Sequence, residues 1–218
     1  MGIKLQPIRD LSEVYRISRE LENMTDERGR RMYLMWVVGI NLGLRIGDLT
    51  CLKVGDLRKD EYTFLPQKQR HKRMAQSITI PIPTDVKRAI RERCADLPDD
   101  AWLLPSRKKK LQAKKRPDKN TPPRTNVGAI SRQTALRDMD EIAKRCNVNM
   151  KIGCHTMRKT FGYHYYRSGA SIEKLQEWFY HKHPATTLIY IGIQLDDFKE
   201  MVNKSPFRGM VSSKKLDV

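Results

Sequence analysis

Two arginines, two histidines and one late tyrosine are spaced along this chain in an order that suits attack on a phosphodiester. Arg45 comes first, inside the run GLRIGDL. His155 and Arg158 lie three residues apart, and His181 precedes Tyr190 by nine residues. Arginines neutralise phosphate oxygens, histidines transfer protons, and a tyrosine hydroxyl can act as a nucleophile. These are the groups needed to attack a DNA phosphodiester without a metal ion.

The local sequence predicts that these arginines lie at the ends of helices. Gly43 ends an apolar helix just before Arg45, so this arginine projects from a rigid element. His155 and Arg158 share one face at the start of another predicted helix, where free N–H groups and the helix dipole attract anions. Together they can hold a phosphate. Taken alone, Arg45 has a structural alternative, which is pairing with Asp48.

The chain as a whole is predicted to be mainly α-helical with one small antiparallel β-sheet, an α+β fold. Asp10 and Glu13 begin a first helix with the spacing of a capping box, and Thr25 begins a second, buried helix. The β-rich runs at 62–65 and 77–81 form a hairpin around a basic turn. Further helices are expected over about 46–52, 84–94, 127–146, 155–167, 171–180, 184–191 and 196–203, and a short strand over 102–104.

Basic residues far outnumber acidic ones, with 43 Lys and Arg against 25 Asp and Glu and a net charge of +18. This excess favours a polyanionic partner, because neutralising phosphates releases counterions, and nucleic acid is preferred over an anionic membrane surface. The residues expected to contact DNA are Arg70, Lys72, Arg73, Lys108, Lys109, Lys110 and Lys159. The alternative for the longer run, inside a proline-punctuated loop at about 105–125, is a solvated charge cluster.

Targeting signals and metal motifs are not evident in the sequence. The N-terminus has no apolar signal core and no apolar run approaches the roughly 20 residues that span a bilayer, so a cytoplasmic, nucleoid-associated protein is expected. Cys51, Cys94, Cys146 and Cys154 form no Cys-x-x-Cys pair and are expected to be buried thiols. Zinc held by Cys146, Cys154 and His155 fits no common ligand spacing, so no metal or other cofactor is predicted.

Five short motifs occur in a defined order: GLRIGD at 43–48, Lys68 in the hairpin, HTMR at 155–158, FYH at 179–181 and TTLIY at 186–190. In this order they closely resemble the catalytic domain of the tyrosine recombinase, or phage integrase, family. The run LLPSR at 103–107 also matches the stretch before that family's basic loop. The resemblance covers roughly residues 10–205 and implies the fold of that catalytic domain.

The resemblance also implies a reaction, which is site-specific recombination of DNA through a covalent 3′-phosphotyrosyl intermediate. Tyr190 is the implied nucleophile, and Arg45 and Arg158 hold the non-bridging oxygens of the scissile phosphate. His155 accepts or relays the tyrosine proton, and His181 bonds to the phosphate. Neither a metal nor ATP is needed, because the energy of the phosphodiester is kept in the protein–DNA bond.

Some assignments within this reaction have alternatives. Lys68 is implied as the acid that protonates the leaving 5′ oxygen, and Lys72 on the same turn is its rival. Asp48 is expected to orient its neighbours, and His183 could replace His181. The alternative nucleophiles are Tyr163, Tyr165, Tyr166 and Tyr180, but the spacing from the histidine favours the tyrosine at 190.

Two positions depart from the family's pattern. Tyr180 stands where the family prefers glycine, and Lys159 follows the second arginine where a histidine is usual. Neither change removes a reacting group. Both bear on how DNA would sit in the site.

The predicted organisation is a single catalytic domain over residues 1–218, without an N-terminal core-binding domain. Its core covers about 10–205, and a C-terminal helix and tail cover about 195–218. Whether the chain is a naturally minimal recombinase or part of a longer one stays open. The resemblance implies a homotetramer on two DNA sites and a monomer off DNA, with accessory DNA-bending proteins as further partners. The C-terminal helix is expected to dock either in a neighbouring protomer or in its own.

Two other functions share parts of this pattern. Relaxation of supercoiled DNA by a type IB topoisomerase-like reaction would use the same chemistry. A non-catalytic DNA-binding regulator derived from a recombinase is the alternative from a different class, although such proteins usually lose a reacting residue. The leading prediction is integration, excision, inversion or transposition of a mobile element.

Overall fold

The computed structural model describes residues 5–67, 70, 76–106, 128–193 and 202–203. Within these ranges the chain is mainly helical with a two-stranded antiparallel sheet, which confirms the predicted class. None of the helices described is long and apolar enough to cross a membrane. The elements are α1 (Leu11–Glu22), α2 (Glu27–Leu42), α3 (Ile46–Leu49), a 3-10 helix (Val54–Leu57), β1 (Glu61–Phe64), β2 (Ile78–Pro81), α4 (Thr84–Arg93), α5 (Arg132–Arg145), α6 (Cys154–Arg167), α7 (Ile172–Phe179) and α8 (Pro184–Ile191).

Helix α2 is the centre of the fold because its run from residue 32 to 42 is apolar on nearly every side. Met32, Trp36 and Leu42 are fully buried on it, and α1, α4 and α6 pack around it. Helix α6 packs tightly at Gly39, where an added Cβ would clash with the Sδ of Met157. A larger residue at position 39 would therefore push α6 away from α2.

A buried ion cluster fixes α5 against α2. Asp138 on α5 is 1% exposed and accepts bonds from Arg31 at 2.8 and 3.1 Å. Arg28, one turn earlier on α2, adds a bond at 3.3 Å. A buried carboxylate is costly unless it is paired in this way. The cluster holds the long helix so that its N-terminal end lies beside α3.

The hairpin of β1 and β2 forms where the β-rich runs predicted it, to within one residue at each end. Tyr62 lies opposite Ile80, whose side chain is buried in the core. Tyr62 also stacks on Phe64 with the ring centres 5.1 Å apart. The sheet is therefore attached to the core by one face.

Three elements are shorter than predicted. Helix α5 begins at Arg132 rather than near residue 127, because the hydroxyl of Ser131 caps its first turn. The strand expected over 102–104 is a single β-bridge at Trp102, and α3 ends three residues before position 52. Of the helix expected over 196–203, only 202–203 are described, and they are helical.

The N-terminal segment, defined as residues 5–9, runs over α6 and reaches the end of α8. The backbone N–H of Ile8 donates to the hydroxyl of Thr160 at 3.0 Å, and the Ile8 side chain is buried. Arg9 donates to the carbonyl of Gly192, the residue that ends α8. The side chain of Ile8 therefore belongs to the buried core, ahead of the first helix.

Candidate active site

Arg45 reaches the site from the turn between α2 and α3. Gly43 ends α2 in the left-handed conformation, with φ of 56°, which glycine adopts without strain. Arg45 follows in extended backbone, and its Nη2 donates to the carbonyl of Phe179 at 2.8 Å. This bond orients the guanidinium fork, whose geometry suits phosphate oxygens.

Arg158 is buried beside it, on the first turns of α6. It is 4% exposed, its Nη1 donates to the carbonyl of Gly43, and its guanidinium carbon lies 4.3 Å from the centre of the Phe179 ring. Its Nη2 has no hydrogen-bond partner among the residues described. Burial lowers the pKa of Arg158 to about 10, so the side chain is still charged at neutral pH. A buried, charged donor without a partner indicates a place for an anion.

Tyr190 and His155 are hydrogen-bonded to each other. The Tyr190 hydroxyl lies 3.1 Å from Nδ1 of His155, and the two rings meet edge to face. Helix α6 presents the histidine and α8 presents the tyrosine, so the bond forms only when these helices pack together. A phenol next to an imidazole nitrogen is the arrangement in which a base can take the phenol's proton.

The surroundings of this pair set its protonation state. Burial raises the pKa of Tyr190, and the nearby guanidinium groups of Arg158 and Arg45 act in the opposite direction. Burial also lowers the pKa of His155, and the positive charge of Arg132 adds to that effect. At neutral pH His155 is therefore uncharged and able to accept a proton, while Tyr190 keeps its own.

His181 completes the ring of catalytic candidates. Its Nδ1 lies 3.0 Å from the hydroxyl of Thr187, and its ring centre is 5.0 Å from that of Tyr190. The preceding residue, Tyr180, ends α7 in the left-handed conformation with φ of 55°. Glycine adopts this conformation at lower cost, which gives a physical reason for the family's glycine at this position.

Asp48 and Gln67 connect the site to the hairpin. Asp48 is buried, and its Oδ1 accepts a bond from the backbone N–H of Gln67 at 2.8 Å. Burial raises the pKa of Asp48, and that hydrogen bond together with Arg45 and Arg158 opposes the rise. The side chain of Gln67 also donates to the Sγ of Cys51 at 2.9 Å. Gln67 is therefore anchored at two points, directly before the predicted acid at position 68.

A cavity of about 290 Å³ opens at this cluster. It is lined by Arg45, Ile46, Gly47, Asp48, Thr50, Gln67, Arg132 and His155. A larger cleft of about 690 Å³ is lined by Arg58, Thr84, Lys87, Arg91 and Ala95, and it contains none of the predicted catalytic residues. The smaller cavity is the candidate site, because Arg45, Arg132 and the imidazole of His155 line it together.

Gln67 and Arg132 line this cavity and were missed by sequence reasoning. Arg132 directly follows the capping Ser131, and that adjacency is the one local signal for its place at a helix start. Gln67 carries no comparable signal, because its two bonds reach residues 16 and 19 positions away. Both residues acquire their place from tertiary packing.

The predicted DNA-contacting residues are only partly described. Arg70 is exposed next to the hairpin, and Lys68, Lys72, Arg73, Lys108, Lys109 and Lys110 lie outside the described residues. Lys159 has a different environment from the one expected. It is 6% exposed, and its ammonium donates to the carbonyl of Leu5 at 2.8 Å. The ammonium also lies 5.2 Å from the centre of the Tyr190 ring, so this lysine is buried beside the candidate nucleophile instead of lying on the protein surface.

The rival residues occupy other places. Tyr163 is buried, and the exposed Tyr165 packs on Phe161. His183 is exposed at the start of α8. No rival tyrosine shares the hydrogen bond that Tyr190 makes with His155 in the described part of the chain.

The cysteines follow the expectation of buried thiols at three of four positions. Cys94, Cys146 and Cys154 are buried, Cys51 is partly exposed, and none forms a disulfide. Burial raises the pKa of the Cys146 and Cys154 thiols, which disfavours the thiolate form that binds zinc. Among the described residues, no group of three or more metal-ligating side chains comes together.

Comparison with known proteins places this cluster in a family. Residues 10–195 match the phage integrase family. A probable integrase/recombinase, YoeC of Bacillus subtilis strain 168, is 31% identical over 192 residues, which cover 88% of this chain and 92% of YoeC. The crystal structure of XerA recombinase superposes with a TM-score of 0.65 at 20% identity and covers 93% of this chain.

A further structural relative is the integrase of transposon Tn1549 in complex with circular intermediate DNA, with a TM-score of 0.60 and 16% identity over 91% of this chain. The chain spans 65% of the XerA chain and 64% of the Tn1549 integrase chain. The motifs, the fold and these likenesses agree with one another. The chain therefore belongs to the phage integrase family of tyrosine recombinases, enzymes of site-specific recombination, and it has the fold of their catalytic domains.

Proposed function

We propose that this chain cleaves and rejoins DNA at specific sites through a 3′-phosphotyrosyl bond to Tyr190. The observation that carries the proposal is the hydrogen bond between the Tyr190 hydroxyl and an uncharged His155, 3.1 Å long, beside two arginines. A nucleophile, its base and its charge-stabilising groups are then in contact before any DNA binds.

The first step is attack by the phenol oxygen on the scissile phosphorus. His155 takes the phenol proton as the new O–P bond forms, because an unassisted phenol with a pKa near about 10 is a poor nucleophile at neutral pH. The basic groups around the pair favour the phenolate over the phenol. These positive charges also disfavour the protonated form of His155. The proton taken from Tyr190 therefore passes from His155 to solvent or to DNA.

The arginines stabilise the charge that develops on the phosphoryl group. Arg158 offers its buried Nη2, and Arg45 offers the part of its fork turned into the cavity. Each guanidinium is fixed by a backbone carbonyl, Gly43 for one and Phe179 for the other. Donors that are already oriented need no reorganisation during reaction, which is where electrostatic catalysis gains most. His181 would add a bond to a non-bridging oxygen.

The second half of the step is departure of the 5′ oxygen. Lys68 would protonate it as the bond to phosphorus breaks, and Lys72 remains the alternative on the same turn. The anchoring of Gln67 on Asp48 and Cys51 supports the first choice, since it holds the residue adjacent to Lys68 against the cavity. Basic side chains stabilise the negative charge that develops on the phosphoryl group, so no step in the proposal uses a metal or ATP.

Rejoining reverses these roles with a different DNA end. The 5′ hydroxyl of a second strand attacks the phosphotyrosine, the bond to Tyr190 breaks, and the phenol regains its proton. The partner we propose is duplex DNA in a homotetramer on two sites, with accessory DNA-bending proteins, at the bacterial nucleoid. The relative from transposon Tn1549 supports a mobile-element role, and the C-terminal helix would dock in a neighbouring or the same protomer.

Covalent trapping tests the proposal. The protein is incubated with a pool of nicked suicide duplexes that includes DNA flanking its own gene, and SDS-resistant adducts are counted. Wild type is expected to form an adduct, Tyr190→Phe is expected to form none, and Tyr165→Phe is the matched control that keeps activity. Sequencing the trapped DNA gives the site.

Other results would point elsewhere. Salt-sensitive binding without an adduct would overturn the proposal in favour of a DNA-binding regulator. Turnover of supercoiled DNA irrespective of sequence would indicate a topoisomerase-like activity instead. An adduct that persists in Tyr190→Phe would contradict the choice of nucleophile.

A further inference from the structure

Lys159 is buried beside the nucleophile, yet the proposed chemistry gives it no role. Its ammonium lies 5.2 Å from the centre of the Tyr190 ring and donates to the carbonyl of Leu5 at 2.8 Å. Placing an ammonium inside a protein is costly unless something holds it there. An ammonium buried next to the proposed nucleophile is placed where its charge can act on the phenol.

The group that holds Lys159 comes from the N-terminal segment. This segment is attached along its length, since Ile8 bonds to Thr160 on α6 and its carbonyl lies 2.8 Å from Nε2 of His164. Leu5 is consequently fixed over the residue that precedes Thr160. The carbonyl that accepts the bond from the Lys159 ammonium therefore belongs to a backbone segment that is held at several points.

The same segment also contacts the helix that carries the nucleophile. Arg9 donates to the carbonyl of Gly192, two residues after Tyr190. Pro7 packs so closely on Gly192 that an added Cβ there would meet its ring at 2.9 Å. Gly192 has φ of 81° and ends α8. The segment therefore touches both the residue over the tyrosine ring and the turn that follows the tyrosine.

We propose that Lys159, held in place by the N-terminal segment, is a positioning residue for the Tyr190 nucleophile. The ammonium holds the phenol ring and favours the phenolate form that attacks phosphorus. This inference rests on the proposed role of Tyr190. It gives a function to the position where the family's usual histidine has been replaced by lysine.

The charges around Tyr190 define what Lys159 adds. Among the described residues, the other charged or titratable groups that face the tyrosine are Arg45, Arg158, His155 and His181. Lys159 also lowers the pKa of His155, the hydrogen-bond partner of the tyrosine. The two arginines are shared with the phosphate, whose negative charge offsets theirs once DNA is bound. Lys159 bonds to a backbone carbonyl and faces the ring, so its effect on the phenol persists in the complex. A cation within about 6 Å of a ring centre, out of water, has an appreciable interaction with that ring.

A titration of the phenol tests this directly and needs no DNA. A fluorinated tyrosine is incorporated at position 190, and its ionisation is followed by fluorine NMR. Lys159→Gln can still donate to the Leu5 carbonyl but has lost the charge, so it is expected to raise the midpoint by roughly one pH unit. Lys159→Arg keeps the charge and should stay near wild type. Lys151→Gln, an exposed lysine just before α6, is the matched control.

A kinetic measurement gives the second readout. At neutral pH, Lys159→Gln is expected to form the covalent adduct about tenfold more slowly, with recovery as the pH rises and with DNA affinity unchanged. A merely structural role would lower the rate equally at every pH. An unchanged phenol midpoint in Lys159→Gln would overturn the inference even if adducts form normally.

Failure of the proposed function is seen separately, as absence of an adduct in wild type, and the titration still decides the role of Lys159. Should Lys159→Gln not fold, Arg9→Gln provides the test, since it releases the segment at Gly192 without removing the ammonium. It is expected to raise the same midpoint by a smaller amount. No movement in Arg9→Gln would count against the coupling between the segment and the nucleophile.

Discussion

Two buried arginines on neighbouring helices have opposite surroundings. Arg31, 6% exposed on α2, bonds to both oxygens of Asp138, with Arg28 as a second partner of that carboxylate. Arg158, 4% exposed on α6, bonds to a carbonyl, stacks on a ring and leaves one nitrogen without a partner in the described residues. Burial is nearly equal, so burial does not separate a structural arginine from a catalytic one.

The difference lies in whether the protein itself supplies the negative charge. The cluster around Asp138 is complete and needs no ligand. Among the described residues, the carboxylate that acts on the charge of Arg158 is that of Asp48, whose Oδ1 is already bonded to the backbone of Gln67. The active site therefore holds excess positive charge in fixed orientation, which a phosphate can neutralise. The cluster around Asp138 therefore stabilises the fold, whereas the surroundings of Arg158 are suited to binding an anion.

The largest effect is expected from removing Arg158, the arginine proposed to stabilise the transition state. Arg158→Met should slow adduct formation by about a thousandfold, because a preoriented donor to the transition state is lost. Its stability should be unchanged or higher, since a buried and incompletely paired charge disappears. Single-turnover trapping and urea denaturation of the same preparation measure the two quantities. A large loss of stability would mean that this arginine is structural after all.

Removing the structural arginine, Arg31, should lower the stability of the fold instead of the rate of reaction. Arg31→Met is expected to lower the free energy of unfolding by about 3 kcal/mol, because Asp138 stays buried with one weaker partner. Adduct formation per folded molecule should change little. The double variant Arg31→Met, Asp138→Leu should regain much of the loss, since no buried charge then remains. Urea denaturation of all three variants checks the expectation, and an unchanged midpoint in Arg31→Met would contradict it.

Two histidines sharpen the comparison through their pH dependence. Burial lowers the pKa of both His155 and His164; the charges near His155 add to that effect, whereas the Ile8 carbonyl and Asp10 oppose it at His164. Cleavage at limiting DNA should therefore persist below the ordinary histidine value of about 6.5 and decline as pH falls through the lower pKa, when His155 gains its proton.

Proton NMR titration of the imidazoles checks this result. Added sulfate or a short duplex should raise the pKa of His155, because an anion offsets the surrounding positive charge. His164, which lies under the N-terminal segment, should not respond. Equal responses of the two histidines would show that the excess charge is not localised at the cavity.

The smallest effect concerns the turn before His181. The ends of α2 and α7 adopt the same left-handed conformation, with φ of 56° at Gly43 and 55° at Tyr180. Tyr180→Gly should raise the free energy of unfolding by about 1 kcal/mol, because glycine adopts this conformation without strain. Tyr180→Ala is the control, since it removes the ring and keeps the strain. Thermal denaturation distinguishes the variants, and equal stability of the two would refute the explanation.

Elements with local signals were predictable from the sequence. The cap at Asp10, the stop at Gly43 and the proline at the start of α8 act within a few residues, and the helices begin and end near them. The start of α5 was misplaced because Ala129 pairs with Pro105 in a β-bridge, and the helix begins only after the cap at Ser131. Short-range patterns cannot register such pairing.

In the candidate site too, the sequence identified some features and could not identify others. The motif residues Arg45, His155, Arg158, His181 and Tyr190 were named from order and spacing, and the structure brings them together. The surroundings that set their charge states were not accessible from sequence. The contact between Leu5 and Lys159 joins residues 154 positions apart, and no periodicity records a bond of that kind.

The N-terminal segment has a mechanical consequence. Its hydrogen bonds to α6 and to the turn after Tyr190 connect residues 5–9 to both helices that carry the proposed reacting pair. Tension applied ahead of residue 5 would be carried through backbone to both helices that hold the reacting pair. The length and stiffness of a protein or tag fused upstream would therefore affect the position of Tyr190 and, with it, the rate of the proposed reaction.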